Sequence, residues 1–151
     1  MQKLPNLWRY IPTYQIIKVL SKIDFHSLLN VGGAEGYKAA LIRDIFGAEV
    51  KNSDLSEEAC KRAKEIYNID SDPVDIHNLP YQDNQFDVVL CSETLEHVTN
   101  FSKATSELLR VAAKAIIITV PHEPKEHTEN NKLKKIIHGH IEAFTLKSFD
   151  F

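Results

Sequence analysis

The stretch Leu28–Gly36 restricts the fold of this chain more than any other. A short apolar run, Leu-Leu-Asn-Val, is followed at once by Gly32, Gly33 and Gly36. Such runs are typical of parallel strands that are buried on both faces. Glycines after the strand let a ligand approach the main chain, and the amides of a helix predicted at Tyr37–Phe46 would point at the same place. The pattern predicts a strand, a ligand-binding turn and a helix, although a turn that binds nothing has the same pattern.

Asp54 favours the ligand-binding interpretation. It follows the next strand-like segment, Glu49–Ser53, which contains only one strong strand former. In a βαβ unit, an acidic side chain about twenty residues after the glycines can accept hydrogen bonds from the hydroxyls of a ribose. The two features together therefore predict a nucleoside-binding site.

Composition limits the other functions that this chain could have. Its 151 residues, 43% of them hydrophobic, fit a single domain over 1–151 with a helical leader at 1–24. The net charge of −3 gives no overall attraction to nucleic acid or to an anionic membrane, and no apolar run has the length of a membrane span or a signal peptide. We therefore expect a cytoplasmic protein without a nucleic-acid or membrane partner. Cys60 and Cys91 lack disulfide or metal spacing and are predicted to be reduced core residues.

The remaining elements are predicted from periodicity and from capping residues. Thr13 is predicted to cap a first helix, and Ser56 a third helix whose inner stripe includes Ile66. The second helix is predicted to bury Ile45 and to end at Gly47. The later elements are predicted as strands at Val74–Ile76, Phe86–Ser92 and Ala115–Val120 and a helix at Phe101–Val111. This alternation predicts an α/β fold with a doubly wound, mostly parallel sheet.

Four sequence blocks, taken in order, resemble those of the class I S-adenosylmethionine-dependent methyltransferases, type 11-like. The blocks are Asn30–Gly36, Asn52–Ser56, Asp75–Leu90 and Cys91–Val98. The resemblance extends over roughly residues 25–145. It implies a Rossmann-like methyltransferase fold, S-adenosylmethionine as cofactor, S-adenosylhomocysteine as product, and methyl transfer to an acceptor that the sequence does not name.

The resemblance also implies a role for each part of the cofactor site. The glycine turn would contact the methionine and ribose of the cofactor. The acidic residue after strand two would bind the ribose diol, and the pair of residues after strand three would bind the adenine. The end of strand four would form the floor beside the sulfonium. The implied cofactor-binding residues are Gly32, Gly33, Ala34, Gly36, Asp54, Leu55, Asp75, Ile76, Ser92 and Glu93. A solvated turn aspartate is the alternative for Asp75.

Two positions depart from the family pattern. Ala34 stands where the family usually has glycine, and Asn30 where it usually has an acid. Ala34, together with the family's last two strands, for which this sequence has no counterpart, motivates a second interpretation, a non-catalytic module that binds cofactor or a partner subunit. A dinucleotide dehydrogenase is disfavoured, because Tyr37 would occupy the third glycine of its fingerprint and keep helix and strand apart.

His97 is the candidate catalytic base, since an imidazole titrates near neutral pH. The alternative is a structural histidine that contacts the loop after strand four. Glu93, Glu96 and His97, with His138 and His140 downstream, also resemble a metal-assisted branch of the family. A divalent ion held there would acidify an acceptor hydroxyl. We consider this metal site less favoured and assign no metal ligand.

The resemblance also predicts what the end of the sheet should contain. The family's sheet has seven strands, whereas five are predicted here before Phe151. We therefore expect that the last two strands are lacking, and that either the chain is truncated or a partner covers the sheet edge. A homo-oligomer formed through that edge would be one way to cover it, because an unprotected apolar edge strand invites association.

Overall fold

A computed structural model describes residues 7–121, with side chains described from Ile11 onward. The elements are α1 (Leu7–Leu20), β1 (Ser27–Val31), α2 (Tyr37–Phe46), β2 (Glu49–Asp54), α3 (Glu57–Tyr67), β3 (Asp70–Pro73), β4 (Phe86–Ser92), a 3₁₀ turn (Leu95–His97), α4 (Phe101–Val111) and β5 (Ala112–Thr119). None of the helices in this part of the chain is long and apolar enough to cross a membrane.

The five strands form one sheet with the order β3-β2-β1-β4-β5, and every neighbouring pair is parallel. The predicted doubly wound parallel sheet is therefore confirmed. Strand order reverses between β1 and β4, and ligands of open α/β sheets bind outside the carboxyl ends of the strands at such a point. Strand β5 lies at one edge of the described sheet, and pairing of this edge with a partner or a second copy stays a prediction.

Helices cover both faces of the sheet. Helices α1 and α2 bury Ile16, Leu20 and Ile42 against Leu28 and Leu90. On the opposite face, α4 packs on the other residues of β1 and β4, together with side chains from the segment between β3 and β4. Strand β4 is covered from both sides, which explains why its sequence is a nearly continuous apolar run.

Two strand predictions are wrong in position. Strand β3 covers Asp70–Pro73 and not Val74–Ile76, and β5 begins three residues earlier than predicted, at Ala112. The polar residues of β3 pair with β2, where Lys51 lies 3.1 Å from Asp72 and also contacts Asp70. The apolar residues Val74 and Ile76 pack on the core from the segment that follows. Cross-strand charge pairs, which apolar patterning does not detect, define this edge strand.

Three helix predictions also need correction. Thr13 is buried inside α1 and does not cap it, because the helix already includes Leu7. Ile45 and Ile66, predicted to be buried, are about half exposed. Small residues face inward instead, Ala39 and Ala40 from α2 and Cys60 and Ala63 from α3. As predicted, Ser56 caps α3, α2 ends at Gly47, and both cysteines are buried.

Arg110 holds in place the segment between β3 and β4, residues 74–85, which contains no helix. Its guanidinium donates to the carbonyl oxygens of Leu79 and Tyr81 and to the carboxylates of Asp83 and Glu107. Glu107 also accepts from the main-chain N–H of Leu79, at 2.8 Å. All five N–H donors of the guanidinium are thereby used, so one side chain ties this segment to α4.

We predict that Arg110→Met lowers the free energy of unfolding by about 2 kcal/mol, because two carbonyl oxygens and two carboxylates lose charged donors. Urea denaturation at pH 7 measures this loss. Arg62→Met is the matched control, because Arg62 is half exposed and has one described ion pair, with Glu35. The control should change stability by less than about 0.5 kcal/mol. Equal losses in the two variants would contradict the role given to Arg110.

The pKa of Glu107 is lowered, chiefly by its hydrogen bonds with Arg110. A carboxyl group with a lowered pKa in the folded state contributes stability above its unfolded value, about 4.3. That contribution disappears as the pH falls through the folded pKa. We therefore predict that the stability difference between the parent and Glu107→Gln is largest at neutral pH and shrinks below about pH 4. Urea denaturation of the parent and the variant at neutral pH and below about pH 4 tests this prediction, and a stability difference that grows on acidification would contradict it.

Candidate cofactor site

The predicted binding residues lie at the carboxyl ends of adjoining strands. The glycine turn follows β1, Asp54 and Leu55 lie at the end of β2, and Asp75 and Ile76 come two and three residues after β3. Ser92 ends β4, and Glu93 follows it. Parallel strands bring these segments to one side of the sheet, although the cofactor-binding role of each residue remains a prediction.

A buried pair of amides lies directly under the glycine turn. Asn30 Nδ2 donates to Asn52 Oδ1 at 2.8 Å, and Asn52 Nδ2 donates both to the main-chain oxygen of Ala34 and to Ser71 Oγ. A Cβ atom at Gly33 would lie 1.9 Å from Asn52 Oδ1. The absence of a side chain at Gly33 is therefore required for the turn to rest on these amides.

Gly36 makes a different close contact. Its φ is 79°, in the left-handed region, and an added Cβ would lie 2.9 Å from the Cβ of Ala63 in α3. Glycine adopts this φ at no steric cost. The third glycine thus allows α2 to start immediately after the turn and to pack closely on α3.

Asp54 closes the turn with its carboxylate. Its Oδ2 accepts from the main-chain N–H of Ala34 at 2.8 Å, and its Oδ1 accepts from that of Ser56 at 3.0 Å. A carboxylate has about four acceptor positions, so these two bonds leave capacity for a ribose diol. Asp54 is partly exposed, whereas 78% of the surface of the adjacent Leu55 is exposed.

Asp75 is oriented by His77, a residue that the sequence analysis did not select. Asp75 Oδ1 accepts from the main-chain N–H of His77 at 2.9 Å and lies 2.6 Å from its Nδ1. The main-chain N–H of Asn100 donates to Nε2 of the same ring, which places the ring proton on Nδ1. The hydrogen bonds from His77 hold the pKa of Asp75 below its ordinary value. The sequence signal for this contact was the aspartate two residues before His77, a spacing that is typical of an Asx turn.

The Asp75 carboxylate is 57% exposed in this turn. That exposure suits both a solvated turn aspartate and an adenine ligand, and the adenine-binding role of Asp75 stays a prediction. Ile76 is partly buried and packs on the core that α4 covers.

Residues from three elements meet beside the end of β4. Lys38, in the first turn of α2, donates to Ser92 Oγ at 2.9 Å, and Ser92 Oγ lies 2.7 Å from Thr119 Oγ1 of β5. Thr119 Oγ1 also donates to Glu93 Oε1 at 2.9 Å. Glu93 has a φ of 55°, which is uncommon for a residue with a Cβ. Lys38 and Thr119 were not selected from the sequence, because neither belongs to a recognised motif.

His97 and the two glutamates before it are not arranged on one helical face. Only Leu95–His97 form a 3₁₀ turn, so Glu93 lies outside it, and Glu96 is buried at 1% exposure. His97 is 40% exposed, with its Nε2 4.0 Å from Glu96 Oε1. Among residues 7–121, no group of three His, Cys, Asp or Glu side chains is placed to hold a metal ion. His138 and His140 lie outside this range.

Cys91 is a structural residue of β4. It is fully buried, and desolvation, with a smaller contribution from the Glu96 charge, raises the pKa of its thiol to about 12. The thiolate required for nucleophilic chemistry is therefore disfavoured at neutral pH.

Comparison with known proteins places these features in a family. A family model described as a methyltransferase domain matches residues 29–118, from β1 to near the end of β5. This chain belongs to the methyltransferase domain family. S-adenosylmethionine is the cofactor of the family, as the four sequence blocks implied.

Two curated relatives have different acceptors according to their names. Norajmaline N-methyltransferase from Rauvolfia serpentina is 30% identical over 142 residues, which cover 83% of this chain and 49% of that enzyme. The chloroplastic tocopherol O-methyltransferase from Arabidopsis thaliana is 32% identical over 123 residues, which cover 70% of this chain and 34% of that enzyme. The chain thus spans half or less of the length of these relatives.

Solved structures support the fold. The YcgJ protein from Bacillus subtilis has a TM-score of 0.75 at 20% identity, covering 93% of this chain and 64% of that one. A SAM-dependent methyltransferase from Thermotoga maritima has a TM-score of 0.70 at 22% identity, covering 91% of this chain and 65% of that one. At these identities the likeness confirms the Rossmann-like methyltransferase fold alone.

We predict that Ala34→Gly stabilises the protein. Ala34 has a φ of 46°, and the left-handed region costs a residue with a Cβ about 1 to 2 kcal/mol. The greater freedom of glycine in the unfolded chain offsets about 0.4 to 1 kcal/mol of that cost. The expected net gain is about 0.5 to 1 kcal/mol, measured by urea denaturation.

Ala39→Gly is the control for this prediction, because Ala39 is buried within α2 and glycine there should lower stability by about 1 kcal/mol. If both variants destabilised the protein to the same extent, the left-handed geometry assigned to Ala34 would be wrong.

Proposed function

We propose that this chain is the S-adenosylmethionine-binding domain of a methyltransferase that acts on a nitrogen or oxygen atom of its acceptor. The observation that carries the proposal is the hydrogen bond from the main-chain N–H of Ala34 to Asp54, which brings a carboxylate that suits a ribose diol next to main chain that a ligand can approach. The two curated relatives, one named as an N- and one as an O-methyltransferase, support the two acceptor atoms.

The residues at the carboxyl ends of the strands suit the parts of the cofactor. The turn Gly32–Gly36 would face the methionine and ribose, and Asp54 would accept hydrogen bonds from the ribose diol. Leu55, whose apolar side chain is largely exposed, and Ile76 would cover the adenine, while Asp75 would accept from its exocyclic amine. Ser92 and Glu93 would form the floor near the sulfonium.

When bound, the cofactor supplies an electrophilic methyl group on a sulfonium centre. The residues of the chain align that methyl group with the acceptor, since positioning can supply much of the rate of a displacement. His97 is the residue proposed to accept a proton from the acceptor, because its ring is partly exposed in the 3₁₀ turn that follows β4. An amine that is already neutral needs less help from this base than a hydroxyl does.

We predict that Asp54→Asn weakens the binding of S-adenosylhomocysteine by about tenfold or more, since a charged hydrogen-bond acceptor contributes about 1.5 to 3 kcal/mol. Isothermal titration calorimetry measures the change. Asp44→Asn in α2 is the matched control, because Asp44 is 62% exposed and its described partner is the adjacent Arg43. Unchanged affinity in Asp54→Asn would show that Asp54 does not bind the cofactor.

Turnover separates an enzyme from a binding module. The full protein is incubated with S-adenosylmethionine and a set of amines and phenols, and formation of S-adenosylhomocysteine is followed by mass spectrometry. Acceptor-dependent product supports the methyltransferase. Binding of the cofactor without product from any acceptor would favour the non-catalytic module.

A further inference from the structure

The ring of His77 is bonded on two sides, to two segments of the proposed site. On one side, Nδ1 lies 2.6 Å from Asp75 Oδ1, and on the other, Nε2 accepts from the main-chain N–H of Asn100 at 3.3 Å. The side chain is 19% exposed, so the ring is largely enclosed between its partners. Asp75 is the proposed adenine ligand, and Asn100 ends the loop that follows the proposed base, His97. One imidazole thus bridges two segments that are distant in sequence.

These two partners determine where the ring proton lies. An ionised carboxylate only accepts, so Nδ1 must carry a hydrogen, and a main-chain N–H only donates, so Nε2 must offer a lone pair. Of the forms of imidazole, the neutral ring with its proton on Nδ1 is the one that satisfies both partners. The other neutral tautomer would direct a lone pair at the carboxylate of Asp75 and an N–H at that of Asn100.

The bonds from His77 hold one oxygen of Asp75 and leave the other for a ligand. Asp75 lies outside the strands and helices, and its main-chain oxygen accepts from Asn78 in a tight turn, at 3.0 Å. The main-chain N–H and the ring of His77 both bond Oδ1, and none of the hydrogen bonds described within residues 7–121 goes to Oδ2. The lowered pKa of Asp75, due first to the main-chain bond and then to the ring, agrees with this arrangement. A carboxylate oriented before binding costs a ligand less conformational entropy.

On its other side, His77 completes the bonding of the residue that caps α4. Asn100 Oδ1 accepts from the main-chain N–H of Lys103 at 3.1 Å, and its main-chain oxygen accepts from Ala104 at 3.0 Å. The N–H of a cap residue has no acceptor within its own helix. His77 Nε2 supplies that acceptor from the segment between β3 and β4, and so anchors the first turn of α4.

We infer that His77 is a positioning residue that acts through both of its ring nitrogens. Its Nδ1–H holds Asp75 so that one carboxylate oxygen remains for the exocyclic amine of a purine, and its Nε2 anchors the first turn of α4. His77 itself does not contact the ligand. The inference rests on the proposed function for the ligand of Asp75 and goes beyond it by assigning His77 two separable contacts, of which one affects base recognition and the other the start of α4.

Two amide variants separate these contacts. In His77→Asn the amide nitrogen lies near the position of Nδ1 and can donate to Asp75, whereas the side chain is too short to reach Asn100. In His77→Gln the amide lies near the position of Nε2, where its oxygen can accept from Asn100, and the side-chain bond to Asp75 is lost. The main-chain bond from residue 77 to Asp75 persists in both variants, so the measured changes report the side-chain bonds alone.

Calorimetry on the full chain tests the contact with Asp75. The ligands are S-adenosylhomocysteine and its 6-deamino analogue, in which purine replaces adenine and the exocyclic amine is missing. The parent should bind S-adenosylhomocysteine about tenfold more tightly than the analogue. His77→Gln should reduce this ratio to about threefold or less, whereas His77→Asn should keep it within about twofold of the parent ratio. His26→Gln, at an exposed position before β1 and opposite the site, is the control and should leave both affinities unchanged.

Amide hydrogen exchange, followed by NMR, tests the contact with Asn100. The N–H of Asn100 should exchange about tenfold faster in His77→Asn than in the parent, and within about threefold of the parent rate in His77→Gln. The two variants are therefore expected to fail in opposite assays. If both variants lost base selectivity and Asn100 protection to the same extent, His77 would be a packing residue and the inference would be wrong.

The parent protein provides two further tests, in case a variant does not fold. At about pH 8, where an imidazole is ordinarily neutral, NMR correlations within the His77 ring should place the proton on Nδ1. A proton on Nε2 would overturn the inference. Equal binding of the two ligands would overturn the role of His77 in base recognition and leave the proposed cofactor binding intact. A parent that binds neither ligand would overturn the proposed function, whereas exchange of the Asn100 amide would still decide the contact with α4.

Discussion

The geometry of the site depends on the hydrogen bonds of the Asn52 side-chain amide. Its oxygen accepts from Asn30 on β1, and its nitrogen donates to Ser71 on β3 and to the carbonyl of the turn at Ala34. One side chain thus joins three strands to the segment that follows β1. Because Asn52 is fully buried, loss of any of these partners would leave an unsatisfied polar group inside the fold. Gly33 can rest on this amide only because it has no Cβ.

Apolar patterning predicted the centre of the fold well because burial determines sequence there. The bounds of α2, α4 and β4 agree with the prediction, and each of these elements packs on the sheet or lies at its centre. The same reasoning failed at the edges. Strand β3 is defined by paired charges, and the buried residues of α2 and α3 include three alanines and a cysteine, whereas the isoleucines at 45 and 66 are half exposed.

Motifs predicted which loops would meet at the site, but not how polar groups connect within it. The glycine turn, Asp54 and the residues after β3 and β4 come to one side of the sheet, as the spacing indicated. His77 could have been recognised from its spacing two residues after Asp75. Lys38 and Thr119 could not be predicted, because their contacts with Ser92 span 54 and 27 positions of sequence. The direction of each hydrogen bond at the end of β4 likewise depends on all the donors and acceptors that are linked there, and not on any single residue.

Arg110 and His77 connect the segment between β3 and β4 to the same helix at opposite ends. Arg110 bonds this segment from the last turn of α4, and His77 accepts a bond from Asn100, the residue that caps the first turn. Hydrogen bonds therefore join the segment to α4 at both ends of the helix. If the cofactor binds at Asp75 as proposed, its binding and fraying of α4 are linked equilibria, and each shifts the other by the same free energy.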